Sequence, residues 1–347
     1  MIDDLIRRHL RDFRPYRSAR SESLTGNILL DANELSSGSA VQLEGIELNR
    51  YPDPYQQRLR AELGKYTGVA DNMVFVGVGS DEIIDLLLRL LCEPGADSVA
   101  ILEPTYGVYG VSASLNNVPA ITVPLDEKFQ IDRRRTLDAL TAGTKIIFCC
   151  SPNNPTGNLL RQVDIEYLCQ SFPGLVVADE AYVEFAGSAS LTSHISSLKN
   201  LVVLRTLSKA WGLAGLRCGY CIADPKVIFQ LLRIKAPYNM NAVTAKLALD
   251  ALGNRRFLSE AVSAVARERE RLRKELALIA SVIKIYPSDA NFLLVEVKNP
   301  TAVFEQLLRA GIVVRRRTES RLQNCLRITI GTHDETTTLL NILRGIA

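Results

Sequence analysis

Short apolar runs alternate with amphipathic segments through the first two-thirds of the chain. The runs have strand length and are rich in Val, Ile and Leu, whereas the segments between them repeat apolar positions at helical spacing. Parallel strands need crossover connections, so the alternation predicts an α/β domain with a mainly parallel sheet flanked by helices. The predicted strands are Val74–Val78, Ser98–Leu102, Lys145–Cys150, Leu175–Ala178, Leu201–Leu204 and Cys218–Ala223, and the predicted helices are Ser80–Leu91, Tyr106–Leu115 and Arg161–Ser171.

The pattern changes after about residue 255, where a long charged helix is predicted over Arg255–Ala280. The segments predicted after it are Val282–Tyr286, Phe292–Val297, Thr301–Arg309, Ile312–Val314, Leu326–Ile330 and Thr332–Arg344. Thr332 and Glu335 have the spacing of a capping box. We therefore expect a large domain over residues 41–255 and a small α+β domain over 256–347, with residues 1–40 packing on the small domain or on a partner subunit.

Composition and charge narrow the class of protein. The 347 residues are 47% hydrophobic and 23% charged, which is typical of globular proteins, and a net charge of +3 gives no indication of a nucleic-acid partner. No apolar run has the length of a membrane span, and the N-terminus lacks a secretory pattern, so we expect a cytoplasmic protein without a membrane partner.

The cysteines and histidines give no indication of a metal site. Seven cysteines, mostly in apolar segments, predict reduced and buried thiols. The three histidines are far apart in sequence, and Cys218 and Cys221 form a CxxC pair without a second pair, so a redox role for these two cysteines remains open.

Polar residues follow four of the predicted strands. The carboxyl ends of parallel strands share one edge of a sheet, so we expect these residues to converge on one site. They are Gly79-Ser80-Asp81, the run SPNNPTG over Ser151–Gly157, Asp179, and the group Thr206, Ser208 and Lys209.

Lys209 is the most informative of them, because it stands between hydroxyls and Arg217 at a strand end. Its amine can form a Schiff base with an aldehyde, while Thr206, Ser208 and Arg217 can bind a phosphate group. Taken alone, Lys209 also fits a solvated loop lysine. The helix start at Ser80 and Asp81 offers backbone N–H groups to the same phosphate, although a glycine turn with a serine cap is common.

The other strand-end residues suit a pyridine ring. Asp179 ends a buried run and needs a cationic partner, which a protonated ring nitrogen would supply, or it caps a helix. Asn154 and Tyr182 can donate to a ring oxygen and Tyr106 can stack on the ring; a turn residue and two packing tyrosines are the alternatives. Arg327 interrupts an apolar run and either binds a carboxylate or phosphate or points to solvent at a strand edge.

Together these segments resemble the fold-type-I, pyridoxal-phosphate-dependent aminotransferases, and more narrowly the histidinol-phosphate aminotransferase family. The resemblance runs nearly end to end. It rests on Arg14–Arg20, Asp31–Glu34, Arg50–Asp53, Gly79–Glu82, Pro104–Gly107, Ser151–Gly157, Ala178–Tyr182, Arg205–Lys209 and Cys325–Arg327.

The resemblance implies an aspartate-aminotransferase-like fold and a role for each matching residue. Lys209, Asp179 and Tyr182 would be catalytic. Pyridoxal 5′-phosphate would be bound by Ser80, Asp81, Tyr106, Asn154, Asp179, Tyr182, Thr206, Ser208, Lys209, Arg217 and the other subunit's copy of Tyr51. The substrate would be bound by Arg327, Arg315, Tyr16 and Asn33. The choice among Arg315, Arg316 and Arg317 stays open, because the segment over 315–324 departs from the relatives in length and charge.

The implied reaction is a ping-pong amino transfer between histidinol phosphate and 2-oxoglutarate in histidine biosynthesis, in a homodimer with shared active sites. A guanidinium group accepts phosphate and carboxylate alike, so one arginine site can serve both substrates. The alternatives on the same scaffold are an aromatic amino acid aminotransferase and a phosphothreonine decarboxylase. A non-catalytic binding protein is disfavoured, since binding alone needs no Schiff-base lysine.

Overall fold

Two β-sheets organise the part of the chain that the computed structural model describes, residues 2–11, 43–187 and 190–345. Tyr16 and Asn33, which the family resemblance places in the substrate site, lie outside these described residues. Within the described ranges, every helix is too short or too polar to cross a membrane. All seven cysteines are buried and none forms a disulfide, as predicted.

The first sheet has seven strands and is mainly parallel. Its strands are β1 (Val74–Val78), β2 (Ser98–Glu103), β3 (Ala120–Pro124), β4 (Thr144–Cys150), β5 (Leu175–Asp179), β6 (Leu201–Thr206) and β7 (Cys218–Ala223). Their spatial order is β1-β7-β6-β5-β4-β2-β3. Only β7 runs antiparallel to its neighbours, β1 and β6. The sheet therefore brings the carboxyl ends of β1, β4, β5 and β6 to one edge.

Helices cover both faces of this sheet, and each face has its own hydrophobic core. In α3 (Gly79–Leu91), Ile83, Ile84, Leu87 and Leu91 recur at helical spacing and are buried against the sheet. The other helices around this sheet are α1 (Ile2–Leu5), α2 (Gln57–Thr67), α4 (Val108–Leu115), α5 (Arg133–Ala139), α6 (Gln162–Ser171), α7 (Pro225–Ile234) and α8 (Ala242–Gly253).

The second sheet has four antiparallel strands, β8 (Val282–Ile285), β9 (Phe292–Val297), β10 (Arg315–Arg316) and β11 (Cys325–Thr329), in the order β10-β11-β9-β8. It shares a separate core with α9 (Arg255–Leu276), α10 (Pro300–Arg309) and α11 (His333–Arg344). The capping box predicted at Thr332 and Glu335 is present at the start of α11. The large mixed sheet and the small antiparallel sheet confirm the predicted fold class.

The predicted segment Ile312–Val314 does not form a helix or a strand. The residues that pair with β11 are Arg315 and Arg316 instead. Val313 is largely exposed, and Ile312 N–H bonds back to the Leu307 carbonyl oxygen, so the apolar run closes the end of α10. The edge strand β3 was not predicted, because most of its residues are exposed and its apolar pattern is weak.

Candidate active site

A cavity of about 180 Å³ lies at the carboxyl edge of the large sheet. Such a volume has room for on the order of ten water molecules or one small heteroaromatic ligand. Its walls are formed by Gly79, Ser80, Asp81, Tyr106, Cys150, Asn154, Asp179, Ala181, Tyr182, Thr206, Ser208, Lys209, Arg217 and Arg327. The structure therefore brings together the predicted cofactor residues, except Tyr51, with the predicted substrate residue Arg327.

The reversed direction of β7 explains how Arg217 reaches this cavity. Because β7 runs against β1 and β6, its first residue, Cys218, lies opposite Val78 at the end of β1. Arg217 precedes it in a left-handed conformation with φ of 52°, and its carbonyl oxygen accepts the Gly79 N–H at 2.8 Å. A residue at the beginning of a strand thus joins residues that follow the ends of others.

Lys209 follows β6, and its Nζ lies 5.5 Å from the centroid of the Tyr182 ring. Burial lowers the pKa of the Lys209 amine, and the positive charges of Arg327 and Arg217 lower it further, against the opposing effect of Asp179 and Asp81. A lowered pKa increases the neutral fraction of the amine, which is the nucleophilic form.

Asp179 is the last residue of β5 and is buried. Its Oδ2 accepts the Tyr109 hydroxyl at 2.6 Å, and its Oδ1 accepts the Ala181 N–H at 3.1 Å. Burial raises the pKa of the Asp179 carboxyl, while these two donors act in the opposite direction. A buried carboxylate of this kind is stabilised by a cationic group in the cavity.

Asn154 connects the two sheets. Its Nδ2 donates to the Tyr182 hydroxyl oxygen at 3.2 Å, and its Oδ1 accepts Nη1 of Arg327, on β11, at 2.6 Å. Burial raises the pKa of Tyr182, so its hydroxyl stays protonated and can donate into the cavity. The Arg327 side chain is thus held at the cavity wall by the loop that carries Asn154.

The loop Ser151–Gly157 is anchored from inside by Asn153. This buried side chain donates to the Pro104 carbonyl oxygen at 2.8 Å and to Thr156 Oγ1 at 2.7 Å, and it accepts the Thr105 hydroxyl at 2.9 Å. The loop also contacts the segment before β9, where Asp289 N–H bonds to the Gly157 carbonyl oxygen at 2.8 Å. These bonds fix the position of Asn154.

One end of the cavity has hydroxyl and guanidinium groups that suit a phosphate. Thr206 and Ser208 place their hydroxyls 3.0 Å apart, and Arg217 Nη2 lies 3.1 Å from Asp81 Oδ2 at the start of α3. Gly79 has φ of +75°, and a Cβ at this position would lie 2.6 Å from Arg217 Nη2. Glycine is therefore required for the close approach of the guanidinium group to the helix start.

A second cavity of about 400 Å³ shares Arg327 with the first. It is also lined by Arg315 and Arg316, and Arg315 lies directly opposite Arg327 in the β10–β11 ladder. Arg317 makes an ion pair with Glu319, so the positive charge of its guanidinium group is partly neutralised. Arg316 Nε is buried without a hydrogen-bond partner among the described residues.

Tyr51 lies outside the first cavity of its own chain. Its side chain is 51% exposed and stacks on Tyr238, with ring centroids 4.5 Å apart. It borders a different cavity, together with Arg50, Arg58 and Lys246.

The side chains around the first cavity fit a phosphorylated pyridine that carries an aldehyde. An amine of lowered pKa, a buried carboxylate, a neutral amide–phenol pair and a hydroxyl–guanidinium end are the partners of the aldehyde, ring nitrogen, ring oxygen and phosphate, respectively. Among the described residues, no cluster of His, Cys, Asp and Glu side chains could hold a metal ion.

The sequence reasoning missed three residues that support the site: Tyr109, Cys150 and Asn153. Tyr109 lies three positions after Tyr106, a spacing that turns both side chains to one side of a helix start, and this signal was available. No feature of the sequence singled out Asn153 or Cys150. Cys150 ends a predicted strand, and Asn153 lies in a loop whose predicted role was assigned to its neighbour Asn154.

Comparison with known proteins identifies relatives of the whole chain. The model of the family "Aminotransferase class I and II" matches residues 24–343. The histidinol-phosphate aminotransferase of Cytophaga hutchinsonii is 43% identical over 345 residues, which cover 99% of this chain and 98% of that protein. The enzyme of the same name from Parabacteroides distasonis is 43% identical and covers 99% of both chains.

Solved structures give the same result. The histidinol-phosphate aminotransferase of Sinorhizobium meliloti, in complex with pyridoxal-5′-phosphate, superposes with a TM-score of 0.79 at 26% identity, over 86% of this chain and 84% of that one. The enzyme from Clostridium acetobutylicum superposes with a TM-score of 0.80 at 25% identity, over 86% and 91% of the two chains.

Proposed function

From the premise that the chain belongs to the class I and II aminotransferase family, we propose that it transfers an amino group between histidinol phosphate and 2-oxoglutarate with pyridoxal 5′-phosphate as cofactor. The observation that carries the proposal is the convergence of Lys209, Asp179, Arg217 and Arg327 on one cavity. The names of relatives that are 43% identical over nearly the whole chain support the choice of substrate.

The residues divide between the parts of the cofactor. We assign the phosphate to Ser80, Asp81, Thr206, Ser208 and Arg217, the ring face to Tyr106, the ring nitrogen to Asp179, and the ring oxygen to Asn154 and Tyr182. When bound, the cofactor supplies an electron sink for the carbanion that forms at the substrate Cα.

Lys209 Nζ is the group assigned to proton movement. The lowered pKa of the Lys209 amine increases the neutral fraction that can act as a base, and after accepting a proton from the substrate the amine can return it as an acid. The amine borders the cavity, 5.5 Å from the centroid of the Tyr182 ring.

Arg327 is the group assigned to the substrate anion. Its fixed fork suits a phosphate or a carboxylate, so the same guanidinium can serve both halves of the ping-pong cycle. Arg315 lies directly opposite Arg327 in the β10–β11 ladder and on the same face of the small sheet, so it adds a second positive charge beside Arg327. Tyr16 and Asn33 remain predicted members of the substrate site.

We also infer a cytoplasmic homodimer. Tyr51 borders no part of its own chain's first cavity and is half exposed, which supports a role in the cavity of a partner subunit. The predicted division into residues 1–40, 41–255 and 256–347 remains part of the same proposal.

A substrate comparison tests the proposal. The full-length protein with pyridoxal phosphate is assayed with histidinol phosphate, phenylalanine, tyrosine and glutamate as donors, and O-phosphothreonine is followed for release of CO₂. We expect the highest kcat/KM with histidinol phosphate and 2-oxoglutarate. A preference for phenylalanine, or release of CO₂, would replace the specific assignment by one of the alternatives. A protein that binds no pyridoxal phosphate would contradict the proposal as a whole.

A further inference from the structure

Tyr109 lies behind the cavity wall and contacts the group that we assign to the cofactor ring nitrogen. It is the second residue of α4 and is fully buried. Its hydroxyl is 2.6 Å from Asp179 Oδ2. Because the cavity walls are formed by other residues, Tyr109 would touch neither cofactor nor substrate, and any influence on the reaction passes through its neighbours.

The Tyr109 ring is held on two sides by other aromatic rings. It stacks on Phe148 of β4, with centroids 4.7 Å apart and planes 5° apart. Tyr106, which lines the cavity, packs edge-on against it at 5.6 Å and 86°. This packing leaves the Tyr109 hydroxyl little freedom to turn away from the carboxylate.

The Asp179 carboxylate has two fixed donors, one for each oxygen. Ala181 N–H holds Oδ1 and Tyr109 holds Oδ2, so the plane of the carboxylate cannot rotate without breaking a bond. The donor at Oδ2 is neutral at every working pH, because burial and the nearby Asp179 charge raise the pKa of Tyr109 well above its usual value.

The charge of Asp179 depends on these donors. Burial raises the pKa of this carboxyl. The hydrogen bond from Tyr109 is the largest effect that lowers it, and the hydrogen bond from the Ala181 N–H is the next. The other titratable groups that act on Asp179 or are acted on by it are Asp81, Lys209, Cys150, Tyr106 and Tyr182. Loss of the Tyr109 hydroxyl removes a donor that none of these groups replaces in the described structure.

We propose that Tyr109 is a positioning residue of the reaction, whose hydroxyl orients the Asp179 carboxylate and keeps it ionised to receive the protonated ring nitrogen of the cofactor. The inference rests on the proposed function, since it concerns the same cofactor. It adds a side chain outside the cavity to the groups that determine cofactor affinity.

The variant Tyr109→Phe tests the proposal, because phenylalanine keeps the ring contacts and removes only the hydroxyl. Tyr220→Phe is the matched control: Tyr220 is also fully buried, and its hydroxyl has no hydrogen-bond partner among the described residues. Full-length protein freed of cofactor is titrated with pyridoxal phosphate, and the dissociation constant is measured at several pH values between about 5 and 9. In this range most side chains other than His keep their charge.

We expect Tyr109→Phe to weaken binding of pyridoxal phosphate about 10- to 100-fold, the range for loss of a hydrogen bond to a charged group. The acid-side pH at which affinity is half lost should rise by about one unit or more, since Asp179 without its donor is protonated at higher pH. Tyr220→Phe should leave both values unchanged. Equal affinities and equal pH midpoints in the two variants would overturn the proposal.

Two further outcomes are separable. If wild type, Tyr220→Phe and Tyr109→Phe all fail to bind pyridoxal phosphate, the proposed function fails, and the role of Tyr109 fails with it. If Tyr109→Phe alone does not fold, Asp179→Asn is compared with the double variant Asp179→Asn/Tyr109→Phe. The proposal expects equal affinity in these two proteins, because no carboxylate remains to orient; a further loss in the double variant contradicts it.

Discussion

The two halves of the active-site region differ in how their side chains are held. The strand-end half, Lys209, Asp179, Asn154 and Tyr182, is surrounded by buried partners on the large sheet. The arginine half, Arg315, Arg316, Arg317 and Arg327, belongs to the small sheet, where β10 has only two residues. The side chains that we assign to the chemistry are thus placed on the large sheet, while those that we assign to substrate recognition are placed on the small sheet, partly on a short edge strand whose residues can vary without disturbing the large core.

Arg327 is the exception that connects the halves. It is an arginine of the small sheet, yet Asn154 of the strand-end half accepts its Nη1 at 2.6 Å. Its positive charge also contributes to the lowered pKa of Lys209. Substitutions can therefore separate effects on chemistry from effects on recognition, and Arg327 should show both.

Lys209→Ala should have the largest effect. The variant loses the amine assigned to nucleophilic attack and proton transfer, so kcat for amino transfer from histidinol phosphate should fall by at least about 10³-fold. Lys199→Ala, which changes an exposed lysine near the other end of β6, is the control and should retain activity. A fall of less than tenfold in Lys209→Ala would remove this lysine from the mechanism.

Among the residues that pack around the strand-end half, Arg205 should cause the largest loss of stability when it is replaced by methionine. Arg205, on β6, makes a 2.8 Å ion pair with Glu184, and their side chains are 9% and 5% exposed. Removing one partner leaves a buried charge uncompensated, so the free energy of unfolding should fall by about 3–5 kcal/mol in urea titration. Arg256→Met, in the exposed Arg256–Glu260 pair, should give no measurable change. Equal stabilities of the two variants would show that the buried pair does not support the site.

Arg327→Lys should affect recognition more than chemistry. Lysine keeps the positive charge but loses the fork that binds an anion in two places and one bond to Asn154. KM for histidinol phosphate and for 2-oxoglutarate should each rise about 10- to 100-fold. Arg309→Lys, on the exposed surface of α10, is the control. An effect on only one of the two substrates would argue against a shared anion site.

The smallest effects are expected within the segment Arg315–Arg317. Arg315→Gln should raise the KM for histidinol phosphate by about threefold to tenfold, because the Arg315 charge lies beside Arg327. Among the described contacts, no ion pair neutralises this charge. Arg317→Gln should change KM less, since Glu319 already pairs with this guanidinium. Steady-state kinetics of the two single variants compare Arg315 with Arg317. A larger effect at Arg317 would reverse the assignment.

Much of this site could be predicted from the sequence because its residues follow strands, and strand ends are visible as the last residues of apolar runs. Lys209, Asp179 and Asn154 were found in this way, and the motifs around them indicated the cofactor class. The fold class followed from the same alternation of strands and helices. The Thr332–Glu335 capping box was equally local, since its two residues are three positions apart.

Contacts between residues far apart in the chain were decided only by the tertiary structure. The antiparallel direction of β7 brings Arg217 to Gly79, the Tyr109 side chain reaches from α4 to Asp179 at the end of β5, and the loop of Asn154 meets Arg327 across the two sheets. In each case the partners are separated by 70 residues or more. The periodicity of a segment shows which face of a helix or strand is apolar. Which two elements pack together depends on the simultaneous burial of many apolar faces, and the residues that determine this are distributed over the whole chain.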